Sequence, residues 1–336
     1  MGLAIAVMLV ISFSANATPK RVGFFANQIA GQDYTSLQTA HDFSSPGDTL
    51  LIFPGSWSAT FTKRLVLIGY GYFVTGTGAN SGLQNITLGV SIFTQLLNGS
   101  KGTNFEGLDN LTVKVDPFSD IDSIKVKRCR VSLQLYDKNL SNWEIKQSYI
   151  LSVNSADIYG RRPIFKSLSI QNCYIAEFGA VNLFSNPIRS VGVFKNNVFG
   201  ISTINFLDGD FTLINNIFLG ELQLVNRNSC TFQNNIAQKN IIPSGNGNKP
   251  NVPIANVCKG YPDIGNNSND SRYELKSNSP AFGAGIDSVD CGMFGGAEPY
   301  RLSGIPAIPS FYKLTSSSPI TGASPYTITF SVRSNN

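Results

Sequence analysis

From residue 126 onward, apolar and β-branched residues recur in one short unit. An apolar or β-branched residue is followed by four mostly polar residues and a second β-branched residue. The unit appears as Val126-KRCR-Val131, Ile145-KQSY-Ile150 and Ile170-QNCY-Ile175, then as Val193-FKNN-Val198, Thr212-LINN-Ile217 and Thr231-FQNN-Ile236. The closing residues fall at 131, 150, 175, 198, 217 and 236. That spacing, close to 20 residues and carried by β-branched anchors, predicts a β-solenoid with one strand-rich rung per repeat. Helical repeats are longer and would carry a 3.6-residue period, which is not seen.

Stacked on the closing residue, the units predict two columns. One holds Cys129, Ser148, Cys173, Asn196, Asn215 and Asn234, the other Arg130, Tyr149, Tyr174, Asn197, Asn216 and Asn235. Asn tolerates the left-handed bend of a tight turn, and stacked Asn side chains bond from rung to rung, so the NN pairs predict an Asn ladder at a turn. Cys129 and Cys173 fall two rungs apart, roughly 9–10 Å, beyond disulfide reach. The five cysteines, at 129, 173, 230, 258 and 291, form no CxxC pair. Small buried residues are the expected role for most of them. Pairing of Cys258 with Cys291 is left open by the sequence, as is the state of Cys230.

Ahead of the repeats, residues 34–43 are helix-compatible. Asp48 to Phe53 reads as a strand after a Pro-Gly turn, and Leu65 to Ile68 as a second strand. A short helix followed by strands suits the capping of an open solenoid end. The opening YTSLQTAHDFSSPGDTLLIFPGSW, the LVLIGYGY that follows, the Asn-Asn rungs and the late LKSNSPAFGAGIDSVDCGMFGG (275–296) resemble right-handed parallel β-helix proteins of the pectin-lyase-like superfamily. The resemblance covers roughly residues 20 to 300. It implies an all-β, right-handed parallel β-helix with a short N-terminal capping helix, in a superfamily of polysaccharide lyases, glycoside hydrolases, epimerases and adhesins. Fold alone does not choose among these activities.

Residues 1–17 read as a secretory signal peptide, with an apolar run from Leu3 to Phe13 and a small-x-small site at Ala15-Asn16-Ala17, although no Lys or Arg precedes the run. The run is too short for a membrane span, and no other segment has the length or purity of one. The expected organisation is signal peptide 1–17, parallel β-helix 18–301, and Pro/Ser-rich linker with a C-terminal strand 302–336. The expected location is extracellular or on the cell surface.

Charged residues make up only 14% of the chain and the net charge is +5, too mild for a nucleic-acid footprint. His41, the single histidine, falls in the cap helix and argues against His-based metal or triad chemistry. Enzymes of the resembled superfamily use clustered acidic residues around Ca²⁺ with an Arg or Lys base, or several Asp around the scissile bond. The acidic candidates are Asp116, Asp120 and Asp122, then Asp208 with Asp210, then Asp263 with Asp270. None forms a recognisable lyase or hydrolase motif, so no cofactor is expected, with Ca²⁺ at the first cluster the only candidate. The basic residues crowd more tightly. Lys125, Lys127, Arg128 and Arg130 share one rung, Lys146 follows in the column of Lys127, and Arg161, Arg162 and Lys166 come next. With Tyr149, Tyr174 and Trp143 nearby, these predict a basic and aromatic face that binds polysaccharide or extracellular matrix. A solvated outer face is the plain alternative. A lyase or hydrolase with an unlocated acidic site and a structural or adhesive surface element are the other functional readings.

Overall fold

The computed structural model describes residues 19–73, 90–136, 139–155, 163–180, 190–200, 204–206, 209–220, 222–223, 229–316 and 328–333. The signal-peptide segment, Arg161, Arg162 and Asp208 lie outside the described residues. The chain winds as an all-β solenoid of parallel sheets. One turn after another adds a strand to an 11-stranded first sheet and a strand to a 12-stranded second sheet.

Strand alternation fixes the interior. In the first sheet Leu50, Leu67, Phe105, Val126, Ile145, Ile170, Phe194, Leu213 and Phe232 stand in one register and are all buried. In the second sheet the matching column runs Trp57, Ile92, Leu111, Val131, Ile150, Ile175, Phe199, Phe218 and Ala237. Each large side chain among them contributes about 1.5–3 kcal/mol of burial, and both columns belong to one continuous core.

The turn from the first sheet to the second is where the repeat acts most strongly. Arg128, Gln147, Asn172, Asn196, Asn215 and Asn234 all sit at φ between 49° and 56°, the left-handed region. The residue after each one faces inward and forms a ladder. Cys129 N–H donates to Ser148 Oγ (3.1 Å), Ser148 N–H to Cys173 Sγ (3.4 Å) and Cys173 N–H to Asn197 Oδ1 (3.0 Å). Asn197, Asn216 and Asn235 continue it at 2.9 Å per step, ending on Asn248 Oδ1. The predicted ladder exists, but its register is corrected. Cys173 stacks on Asn197 rather than Asn196, and Val193, Thr212 and Thr231 stand one position before the inward column. Val193 accordingly is exposed while Phe194 is buried. All five cysteines are free thiols, so Cys129 with Cys173 and Cys258 with Cys291 are unbonded.

The N-terminal end is closed by a helix, Leu37–Asp42, whose N-cap Ser36 accepts from Thr39 N–H. Gln38 Oε1 accepts from Thr60 N–H (2.8 Å) and His41 Nε2 from Thr62 N–H (3.1 Å), so helix side chains satisfy amides at the edge of the first second-sheet strand, Ser56–Phe61. His41 is buried against Phe61 in this structural role.

After the last rung the chain doubles back. Residues 284–306 run as a strap down the turn column, one rung at a time and against the direction of winding. Asn234 Nδ2 donates to Ala284 O, Asn215 Oδ1 accepts from Ile286 N–H, Asn196 Nδ2 donates to Asp290 O, and Asn172 Nδ2 donates to Met293 O and Gly295 O. Gln147 Nε2 then donates to Pro299 O (2.6 Å) and Arg128 Nη1 to Ile305 O (2.9 Å). Beneath the strap and the coil before it lies a second apolar cluster that includes Tyr72, Tyr174, Val198, Ile217, Ile236, Tyr273 and Met293. Within 302–336, expected to be a linker with one C-terminal strand, there is also a strand at Ser310–Ser316. It pairs antiparallel with Ile328–Arg333 in a separate two-stranded sheet that joins neither solenoid sheet. Among the described residues no helix is long and apolar enough to cross a membrane.

Candidate functional site

The predicted basic face divides over three environments. Lys125 and Lys127 flank inward Val126 in the strand Lys125–Lys127 and project from the outer face of the first sheet. Lys146 stacks on Lys127 as expected, and the same column continues through Gln171, Lys195, Ile214 and Gln233. The neighbouring outer column runs Lys125, Glu144, Ser169, Val193, Thr212 and Thr231. These two columns make a strip of amines, hydroxyls and amides, interrupted by the Glu144 carboxylate and by Val193 and Ile214, with a rung spacing of about 4.8 Å.

Arg128 is not on that strip. It is 4% exposed, occupies the left-handed turn position, and its Nε donates to Gln147 Oε1 (3.0 Å) while Nη1 reaches the strap. Burial lowers its pKa, with nearby Glu106 acting in the opposite sense. Its role is to tie the strap down. Arg130 lies past the turn, in ion contact with Asp109 (2.5 Å) and over the Phe73 ring. The turn therefore separates Arg130 from the lysines that precede it by a few residues.

The aromatic part of the prediction is corrected by burial. Trp143 is 1% exposed inside the solenoid, its Nε1 donating to Ile121 O, and Tyr174 stacks on Tyr273 of the C-terminal coil. Tyr149 is half-buried between Phe73 and Tyr174, and desolvation drives its phenol upward from the ordinary value. None offers an open ring to a sugar. Tyr149 and Tyr174, each one residue before a closing isoleucine, looked outward by alternation, but the C-terminal coil and strap cover that side.

Charge on the strip is partly compensated. Lys146 Nζ lies 2.7 Å from Glu144 and 3.0 Å from Glu298 of the strap, and its pKa is raised first by Glu144. Glu298 is correspondingly held below the usual carboxylate value, chiefly by its hydrogen bond from Lys146. Lys127 faces Glu106 in register. Lys125 and Lys195 are exposed at either end of the lysine run. Lys166, also exposed, follows the undescribed Arg161 and Arg162.

The acidic candidates do not converge. Asp116 accepts from Phe118 N–H and Ser119 Oγ, closing a turn, whereas Asp122 accepts from Ser141 N–H and pairs with Lys101. Asp120 is exposed, as are Asp210 and Asp263. Asp270 is fully buried and accepts from Ser268, Ser271, the Tyr300 hydroxyl (3.2 Å) and Ser303 N–H (2.8 Å). It anchors the strap through Tyr300, whose hydroxyl is 2.5 Å from that of Tyr72. Among the described residues no three His, Cys, Asp or Glu side chains come together as a metal site.

At the far end of the strip lies a groove of about 610 Å³, lined by Thr212, Thr231, Gln233, Asn234, Pro243 and Gly247 among others. Sequence reasoning missed it, because it depends on how the chain leaves the last rung. Gly245 and Gly247, both at positive φ, were the available signal. No protein-family model matches the chain, and no curated protein matches it either.

Proposed function

We propose that the protein is an exported, non-catalytic binder of extended acidic polysaccharide, held along the outer face of the first sheet. The observation that carries this reading is the in-register lysine column, Lys127 and Lys146 followed two rungs on by Lys195, beside the hydroxyls of Ser169, Thr212 and Thr231. A polymer lying along the solenoid axis meets a lysine on three of the first four of these rungs and a hydroxyl or amide on the rungs between and beyond them. Ammonium groups recognise carboxylates or sulfates as point charges, and hydroxyls and amides bond the sugar hydroxyls between them. The likeness of the opening segment to pectin-lyase-like proteins supports the carbohydrate assignment, and the apolar run at residues 3–13 supports export.

The test is retention and product analysis on one set of polymers. Acidic and neutral polysaccharides are incubated with the protein, with and without Ca²⁺, and binding and chain length are both measured. Retention of intact acidic polymer that weakens with salt is expected. Changing Lys127 and Lys195 together to Gln should weaken binding on the order of tenfold, the factor made by about 1.4 kcal/mol. Unchanged retention sinks the site. Oligosaccharides with unsaturated or water-added ends would replace the binding reading with a lyase or a hydrolase.

A further inference from the structure

The groove at the end of the first sheet has the shape of a missing strand. Thr231–Gln233 is the last strand of that sheet. The chain begins one more turn after it. Asn234 N–H donates to Asn246 O, Asn235 N–H donates to Asn248 Oδ1, and Ile236 bridges in parallel to Lys249. By these bonds Gly247, at φ 73°, takes the left-handed turn position of Asn234, and Asn246 takes the place of Gln233. Ser244, Gly245 and Asn246, entered from Pro243, should then form the next strand. They do not, because Pro243 has no N–H to give a ladder and Gly245 turns at φ 95°. The loop bows away and leaves the groove between itself and the last strand.

Main-chain groups aim into that space. In a parallel ladder successive N–H groups alternate between the two neighbours. Asn234 N–H points toward Asn246, so the N–H of Phe232, two residues earlier, points the same way, into the groove. The opposite end of the solenoid is treated differently, for there Gln38 and His41 of the cap helix occupy the edge amides. An uncovered edge is a template for another strand.

We propose that this groove receives the C-terminal strand of a second copy of the chain, which pairs in parallel with Thr231 and Phe232, up to the place that Asn246 fills opposite Gln233. The donor pattern is in the sequence. Thr329-Phe330-Ser331 repeats the polar–aromatic–polar order of Thr231-Phe232-Gln233. The strand that carries it, Ile328–Arg333, uses one edge for Ser310–Ser316 and keeps its other edge outside both solenoid sheets. A two-stranded sheet alone is marginal in water, so it gains from docking. A second copy fits better than the same copy, because the strap delivers the tail to the wrong end. Ala307 N–H donates to Glu106 Oε1, six register steps or roughly 29 Å from Gln233. Donor and acceptor surfaces differ, so the contact is head-to-tail and builds rings or open chains.

Full-length protein is sedimented over a wide concentration range, and exchange of the Phe232 amide is followed at both extremes. Association that grows with concentration, with slowed exchange at Phe232, is expected. A synthetic peptide of residues 326–333 should disperse the assemblies, and its Phe330→Asp form should do so at least about tenfold less well. The full-length Phe330→Asp protein should stay monomeric. Should that variant fail to fold, the two peptides still decide. A monomer at all concentrations, assemblies indifferent to the peptide, or a protected Phe232 amide in a monomer overturns the proposal.

Discussion

Two adjacent columns of the same turn carry the same residue and do different work. Asn196, Asn215 and Asn234 adopt the left-handed backbone and bond the strap. Asn197, Asn216 and Asn235, each one residue later, face inward and bond the next rung. Earlier rungs keep the division with other residues, Arg128, Gln147 and Asn172 in the first column and Cys129, Ser148 and Cys173 in the second. The first column needs reach and a backbone tolerant of positive φ. The second needs a small acceptor in a dry place. Asn is the residue that satisfies both, which is why the dipeptide recurs.

The sharpest test of that division is Asn216→Ala. It strips the acceptor from Asn197 N–H and the donor from Phe194 O inside the core. A loss of about 3 kcal/mol in chemical denaturation is expected, since each buried unsatisfied group costs about 1–3 kcal/mol. Asn215→Ala should cost less, about 2 kcal/mol, from the left-handed penalty and the orphaned Ile286 N–H. Asn215→Gly should recover the backbone part and leave the strap bond missing. Equal losses for Asn216→Ala and Asn215→Ala in the same denaturation series would erase the distinction.

A smaller effect lies in the strap itself. Glu298 has a folded pKa below its ordinary 4.5, so its pairing with Lys146 stabilises the fold above that value. The contribution disappears as pH falls through the folded pKa. Thermal melts should therefore show a shallow acid-side loss that Glu298→Gln flattens, and a variant with an unaltered pH profile would remove this bridge from the strap's account. The smallest effect is chemical. Burial pushes the Cys173 thiol up to about 12 and raises that of Cys129 as well, while Cys230 is half-buried at the groove. Alkylation of the native protein should label Cys230 first and leave the inner column unlabelled until unfolding. Early labelling of Cys129 or Cys173 would mean that the inner column opens.

The fold was legible because rungs repeat, and the Lys127–Lys146 stack follows from the same pattern, while the cap helix and the strands Thr49–Ile52 and Val66–Ile68 were legible in the separate segment ahead of the repeats. The register slip has a physical cause. Aligning on a β-branched closing residue assumes that one neighbour faces in and the other faces water. Val198 faces the strap and Phe199 faces the core, so both are buried and alternation no longer marks the inside. Left-handed turn positions would have marked it, since Arg128, Gln147 and Asn172 align with Asn196. The site was less legible for a related reason. Arg128, Tyr149 and Tyr174 look solvent-directed until residues about 100 or more positions later cover them. Lys125 and Lys127 lie on the outer face of the first sheet, where the stacking of Lys146 on Lys127 follows from the repeat although Lys146 also reaches Glu298 of the strap.

The strap also dictates an order of events as the chain emerges from synthesis. Rungs of a solenoid settle on their predecessors as they appear, each supported by its neighbour. Here the turn residues of the early rungs wait for partners encoded last, and Arg128 is served only when Ile305 arrives. The winding can be complete while its seam is still open. A chain cut after residue 282 would carry every rung and lack every strap bond from Asn234 back to Arg128. Such a product would be wound but unlocked, a half-life problem in the presence of proteases rather than a failure of fold.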